Sequence, residues 1–181
     1  MTHVLLLPGW QNSGPGHWQS LWETRYGYQR VLQHDWMRPL RGDWMMRLEE
    51  SLLALPVGQP AVLAAHSLGC HLVAAWASHS NSVARVSGAL LVAPADTETV
   101  ELRTLLPSWS PMLRQRLPFR ATVLGCQNDP YCAWGRTVEL ANDWGATCID
   151  IGPCGHINAE SGLGDWPFGH QQLQRLLPTS V

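Results

Sequence analysis

The chain has 181 residues, with 12 basic and 14 acidic side chains and a formal net charge of −2. Every basic residue is Arg, which excludes Schiff-base, pyridoxal-phosphate, Walker-A and kinase chemistry, since each needs a lysine amine that a permanently charged guanidinium cannot replace. Charged residues are only 14% and form no basic stripe, so nucleic acid is not an expected partner, and no apolar run approaches the ~18 residues of a membrane span.

The length predicts one domain over residues 1–181. His3 to Leu7 (HVLLL) reads as a buried first strand. It starts the chain where a leader would show a basic, apolar and then small-residue pattern. A helix is predicted over Gly16 to Arg25, and a weaker strand at Val31-Leu32. A second helix over Asp43 to Leu55 has Asp43 as its N-cap and Met46, Leu48, Leu52 and Leu55 on one face. Ala61 to Ala65 is the third strand and Leu68 to Ser78 an Ala-rich helix. Gly88 to Ala93 is the fourth strand, followed from Asp96 to Pro118 by a proline-interrupted stretch of short helices. Ala121 to Leu124 and Thr147 to Ile151 are the last two strands, separated by a helix from Ala133 to Trp144. A helix over Gly169 to Leu177 ends the pattern.

Short, continuously apolar strands alternating with helices indicate an α/β fold, a six-stranded, mostly parallel, doubly wound sheet covered on both faces. In such sheets the functional groups gather at the carboxyl ends of the strands. After the third strand comes Ala65-His66-Ser67-Leu68-Gly69, the setting of a nucleophile elbow, with Ala65 at the first small position. A serine hydroxyl needs a base, and the base an orienting acid. Asp129 follows the fifth strand and His156 the sixth, giving the chain order Ser, Asp, His of an α/β hydrolase. Asp96, Asp150 and Asp165 are weaker candidates for the acid. His66 adjoins the serine and is expected to point away from it, while His71 and His79 lie on the next helix.

After the first strand, Gly9 and Gly14 have phosphate-loop spacing, but Pro15 and Gly16 stand where Lys and Ser/Thr are required. An oxyanion loop is the better reading. Its backbone donor is Trp10 or Gln11, and the partner donor is the N–H of Leu68. The spacings of the five cysteines do not form a paired zinc site. No metal or cofactor is expected, and a reduced cytoplasmic protein is the simplest reading of free, scattered thiols. Ten Trp against two Phe suggests an aromatic pocket, with His17, Trp18, Trp109 and Trp134 as lining candidates. The alternative is that these indoles pack helices onto the sheet.

The segments LLLPGWQNSGPGHWQSLWE, DWMRPLRGDW, AAHSLG, QNDPYC and GHINAESGLGDWPFG resemble the small α/β-hydrolase family of retinoblastoma-binding protein 9 and YdeN. The resemblance runs from the first strand to the last helix. It implies a compact hydrolase sheet without a large lid, with Ser67 as nucleophile, Asp129 as acid and His156 as base. Ala65 departs from the commoner Gly of the elbow. The expected activity is cleavage of a small ester, thioester or amide through an acyl-enzyme. The alternative is a non-catalytic binding module on a hydrolase scaffold. A small acyl compound is the expected partner, and no protein partner is indicated.

Overall fold

The computed structural model describes residues 2–178. Six strands form one sheet: β1 (His3–Leu7), β2 (Gln29–Arg30), β3 (Ala61–His66), β4 (Val86–Val92), β5 (Arg120–Gly125) and β6 (Thr147–Asp150). Their order is β2-β1-β3-β4-β5-β6 and every pairing is parallel. The helices are α1 (Trp18–Tyr26), α2 (Arg41–Leu53), α3 (Leu68–His79), α4 (Val100–Leu105), α5 (Trp134–Trp144) and α6 (Pro167–Gln174). The order reverses between β1 and β3, so the crevice where ligands bind such sheets opens above those two strands.

Two apolar layers sandwich the sheet. On one face Leu5, Leu7, Leu63 and Leu91 meet Trp44, Leu48 and Leu52 of α2 and Leu72 and Trp76 of α3. On the other Val4, Leu6, Val62 and Leu90 meet Trp18 and Trp22 of α1 and Leu173 of α6. The alternation of β1 between the two layers is the period-2 signature of a strand buried on both sides.

Two local expectations are corrected. The second strand is Gln29–Arg30 instead of Val31-Leu32. Val31 still donates its N–H to Leu6 O at 2.9 Å, but the chain then turns away and Leu32 is exposed. Helix α2 begins at Arg41, with Leu40 at the N-cap and Asp43 in its first turn, where a carboxylate favours the helix N-terminus without capping it. Trp44, Leu48 and Leu52 are its inward face, and Met46 points to solvent.

Seven of the ten tryptophans are buried: Trp18, Trp22, Trp44, Trp76, Trp109, Trp144 and Trp166. A buried indole N–H needs an acceptor. Five of these indoles find one in a main-chain carbonyl outside the regular elements. Trp18 donates to Ile157, Trp22 to Asp165, Trp44 to Asp35, Trp109 to Pro39 and Trp144 to Leu113. These five tryptophans are thus core residues whose polar edge pins the loops.

Candidate active site

The β3–α3 junction is a sharp turn. Ser67 has φ 55° and ψ −119°, a region that costs a non-glycine residue about 1–3 kcal/mol and persists only where its surroundings impose it. Here Ser67 N–H donates to Val92 O at 2.9 Å and Cys70 N–H to Ser67 O at 3.0 Å. Small neighbours are obligatory. A Cβ on Gly69 would stand 2.2 Å from Leu7 O, and one on Gly9 would stand 2.9 Å from the Ser67 Cβ. Ala65 is fully buried within β3 and tolerates its methyl.

The loops after β5 and β6 bring the other two expected residues to this turn. His156 Nδ1 lies 2.9 Å from both carboxylate oxygens of Asp129. His156 Nε2 lies 2.9 Å from Ser67 Oγ. The carboxylate assigns the ring proton to Nδ1, which leaves the Nε2 lone pair facing the hydroxyl. The Asp129 side chain is 3% exposed and that of His156 10%. Asp129 Oδ1 also accepts from Tyr131 N–H at 2.9 Å. Such a line can carry a proton off the hydroxyl while the carboxylate stabilises the imidazolium that forms.

The other aspartates are engaged elsewhere. Asp96 pairs with Arg136 at 3.3 Å and accepts from Glu98 N–H. Asp150 accepts from Gln127 and from Gly152 N–H. Asp165 pairs with Arg25.

The backbone separates the two first-loop candidates. Gln11 N–H donates to Trp36 O at 3.0 Å and is not a free donor, which corrects the expectation for that residue. Trp10 N–H and Leu68 N–H have no acceptor among the described residues. The loop carrying Trp10 is held by Arg30, a side chain 9% exposed. Its guanidinium donates to Asn12 Oδ1, Ser13 O, Ser20 Oγ and Glu23 Oε2. Buried Gln19 ties the same loop to β3 by donating to Ala64 O and accepting from Ser13 Oγ.

A cavity of about 400 Å³ opens over Ser67, bounded by Trp10, His17, Leu102, Leu106, Tyr131 and Glu160 among others. His17 is among its lining residues; Trp18, Trp109 and Trp134 are not, which corrects the expectation for those three. Trp18 is buried against Trp22 and Trp166 with its N–H on Ile157 O. Trp109 packs edge-on against Trp44 beneath the α4 region. Trp134 covers Gly125 at the end of β5.

His66 also departs from expectation. Its ring turns toward the site, 4.8 Å from the His156 ring and 4.6 Å from that of His17. Its Nε2–H donates to the His156 carbonyl at 2.8 Å. Burial, together with the neighbouring His17 and His156, holds the His66 pKa well below the usual histidine range. His17 is lowered to about 3, chiefly by burial and then by Arg30. Both rings stay neutral, and His17 Nδ1 caps α1 by accepting from Gln19 N–H.

Residues not assigned from sequence are Leu102, Leu106, Tyr131, Asn158 and Glu160. Tyr131 sits edge-on to the His156 ring at 4.6 Å. Two of them, Asn158 and Glu160, fall within the GHINAES segment that carries His156. Among the described residues, no group of three or more His, Cys, Asp or Glu side chains is set to hold a metal ion, and no helix is long and apolar enough to cross a membrane.

Comparison with solved structures returns α/β hydrolases. A protein described as a YdeN-like hydrolase from Pectobacterium atrosepticum is 28% identical, with TM-score 0.84 over 98% of this chain and 94% of that one. The ydeN product of Bacillus subtilis is 18% identical, with TM-score 0.76 over 97% and 98%. Carboxylesterase CesB (YbfK) of B. subtilis is 13% identical, with TM-score 0.63 over 99% and 85%. No curated protein matches the chain in sequence. The fold is therefore that of the compact α/β hydrolases without a large lid. The serine hydrolase family model matches residues 4–175, from within β1 to just past α6, and the chain belongs to that family.

Proposed function

We propose that this hydrolase is a carboxylesterase-like enzyme that cleaves a small ester, thioester or amide through an acyl-enzyme on Ser67. The single observation that carries this reading is the 2.9 Å contact of His156 Nε2 with a strained Ser67 hydroxyl at the base of an open cavity. Ser67 Oγ attacks the substrate carbonyl as His156 Nε2 takes its proton. The N–H groups of Trp10 and Leu68 receive the developing oxyanion; loss of one such donor typically costs a factor of about 10² to 10³. His156 then returns the proton to the leaving atom. In the second half it draws a proton from water, which attacks the acyl carbon; as the bond to Ser67 Oγ breaks and the acid leaves, His156 gives that proton to Ser67 Oγ. Asp129 holds the imidazole in the tautomer that both halves require. The five free cysteines, three of them buried, support a reducing compartment such as the cytoplasm for this activity.

The test is fluorophosphonate labelling together with turnover of short-chain p-nitrophenyl esters. Wild type should be labelled and active, whereas folded Ser67→Ala should take no label and lose turnover by a factor on the order of 10⁴ to 10⁶. Equal labelling of the variant overturns the assignment of Ser67. Wild type that is neither labelled nor active indicates a binding module instead.

A further inference from the structure

Resting on the acyl-enzyme chemistry proposed above, the stereochemistry of the intermediate divides the cavity. The tetrahedral carbon carries four substituents: Ser67 Oγ, the oxyanion, the leaving atom and the acyl chain. The oxyanion lies toward the N–H groups of Trp10 and Leu68. The leaving atom must come within hydrogen-bond reach of His156 Nε2 to receive its proton. The leaving group therefore departs over the His156 loop, and the acyl chain takes the remaining direction.

The two directions differ in chemistry. Asn158, Ala159 and Glu160, which follow His156 in its loop, line the cavity together with His17. Its apolar lining includes Ala95, Leu102 and Leu106, buried residues continuous with the apolar layer of α2 and α3. Among the described residues, Glu160 is the one formally charged side chain lining the cavity. It is exposed and has no ion-pair partner among the described residues. Among the described residues no Arg lines the cavity to receive an anion, and His17 is neutral.

We propose that the substrates are small esters with a short aliphatic acyl part and a positively charged leaving group, read by Glu160. An anionic leaving group is repelled by the same carboxylate, and a charged acyl part would be desolvated against Leu102 and Leu106.

Two isosteric ester pairs test this. The first compares butyrate esters of 2-(trimethylammonio)ethanol and 3,3-dimethylbutan-1-ol, which differ only in the charge of the leaving group. The second compares ethyl esters of 4-(trimethylammonio)butanoic and 5,5-dimethylhexanoic acids, which places the charge on the acyl side. In wild type, kcat/KM should favour the cationic leaving group by about fivefold at low ionic strength, the effect of one solvent-screened charge at contact distance. That preference should shrink in ~1 M salt. In Glu160→Gln the ratio should fall to about one. The cationic acyl ester should be the poorer of its pair by at least about tenfold. A leaving-group ratio of one in wild type, a preference that persists in Glu160→Gln, or a cation accepted equally on the acyl side overturns the inference. Fluorophosphonate labelling of the same preparations separates the two levels. Labelled enzyme with a ratio of one loses this inference alone, and unlabelled enzyme inactive on all four esters loses the hydrolase mechanism with it.

Discussion

Ser67 and His156 meet at 2.9 Å, but they are held there by different means. The serine is set by main chain: a strained turn between β3 and α3, a hydrogen bond to Val92 O, and neighbours too small to displace it. The histidine rides on a loop anchored by side chains distant in sequence. Trp18 donates to Ile157 O, His66 to His156 O, and Trp22 to Asp165 O, while Asn128 accepts from Gly155 N–H. The position of the nucleophile is therefore a property of the sheet, and that of the base a property of a few donors. Damage at the first site should appear as lost stability, and damage at the second as lost turnover in a folded protein.

The sharpest test of the first half is Gly69→Ala. The added methyl meets Leu7 O at 2.2 Å, a backbone atom that cannot yield without moving β1. A loss of about 3 kcal/mol or more is expected in urea unfolding. Wild-type stability would show that the elbow relaxes freely.

Acid should unfold the protein through its neutral histidines. His17 is lowered to about 3 and His71 to about 4, each chiefly by burial, from an ordinary 6.5. The unfolded chain therefore binds protons that the folded one refuses. Stability is intact above pH 6.5 and falls as the pH drops from there, by about 2 kcal/mol per histidine at pH 5. The fall continues until about pH 4 for His71 and about pH 3 for His17. His17→Asn, which keeps a helix-capping oxygen, should remove its share of the slope between pH 7.5 and pH 5. An unaltered slope would take His17 out of the account.

For the second half, His66→Leu removes the donor to the His156 carbonyl and should lower kcat by roughly tenfold to thirtyfold with little change in KM, since a misplaced base costs turnover more than binding. His66→Gln, which carries an amide N–H at similar reach, should recover most of that loss. If the two variants behave alike, the ring fills space and does not position the base.

The same contrast explains what could be read from sequence. The strands β1, β3, β4, β5 and β6 were legible because each is a short run, wholly or mostly apolar, lying between helical patterns. Ser67, Asp129 and His156 were legible as candidates because strand ends are where such sheets gather their polar groups. Strand β2 was not, since Gln29 and Arg30 have no strand pattern and pair through the free edge of β1. The direction of His66 was not read either, although it follows the alternation of β3: Val62 and Ala64 face the layer of Trp18, and the His66 ring lies edge-on to that indole. The tryptophans misled by position: Trp18, Trp109 and Trp134 lie near post-strand loops in sequence, but the bulk of each ring packs under a loop or over a strand end. Gln11 was indistinguishable from Trp10 until the carbonyl of Trp36, 25 residues further on, was seen to take its proton.

The indole pins described above have an evolutionary consequence. A side-chain donor that binds a main-chain carbonyl makes no demand on which residue supplies that carbonyl. Positions 113 and 165, both half-buried, can therefore change side chain while the indole contact keeps its anchorage. In these two contacts the indole resides in the core and the carbonyl belongs to a half-buried loop residue. Such an arrangement lets those loop positions vary without re-solving how the loops are held.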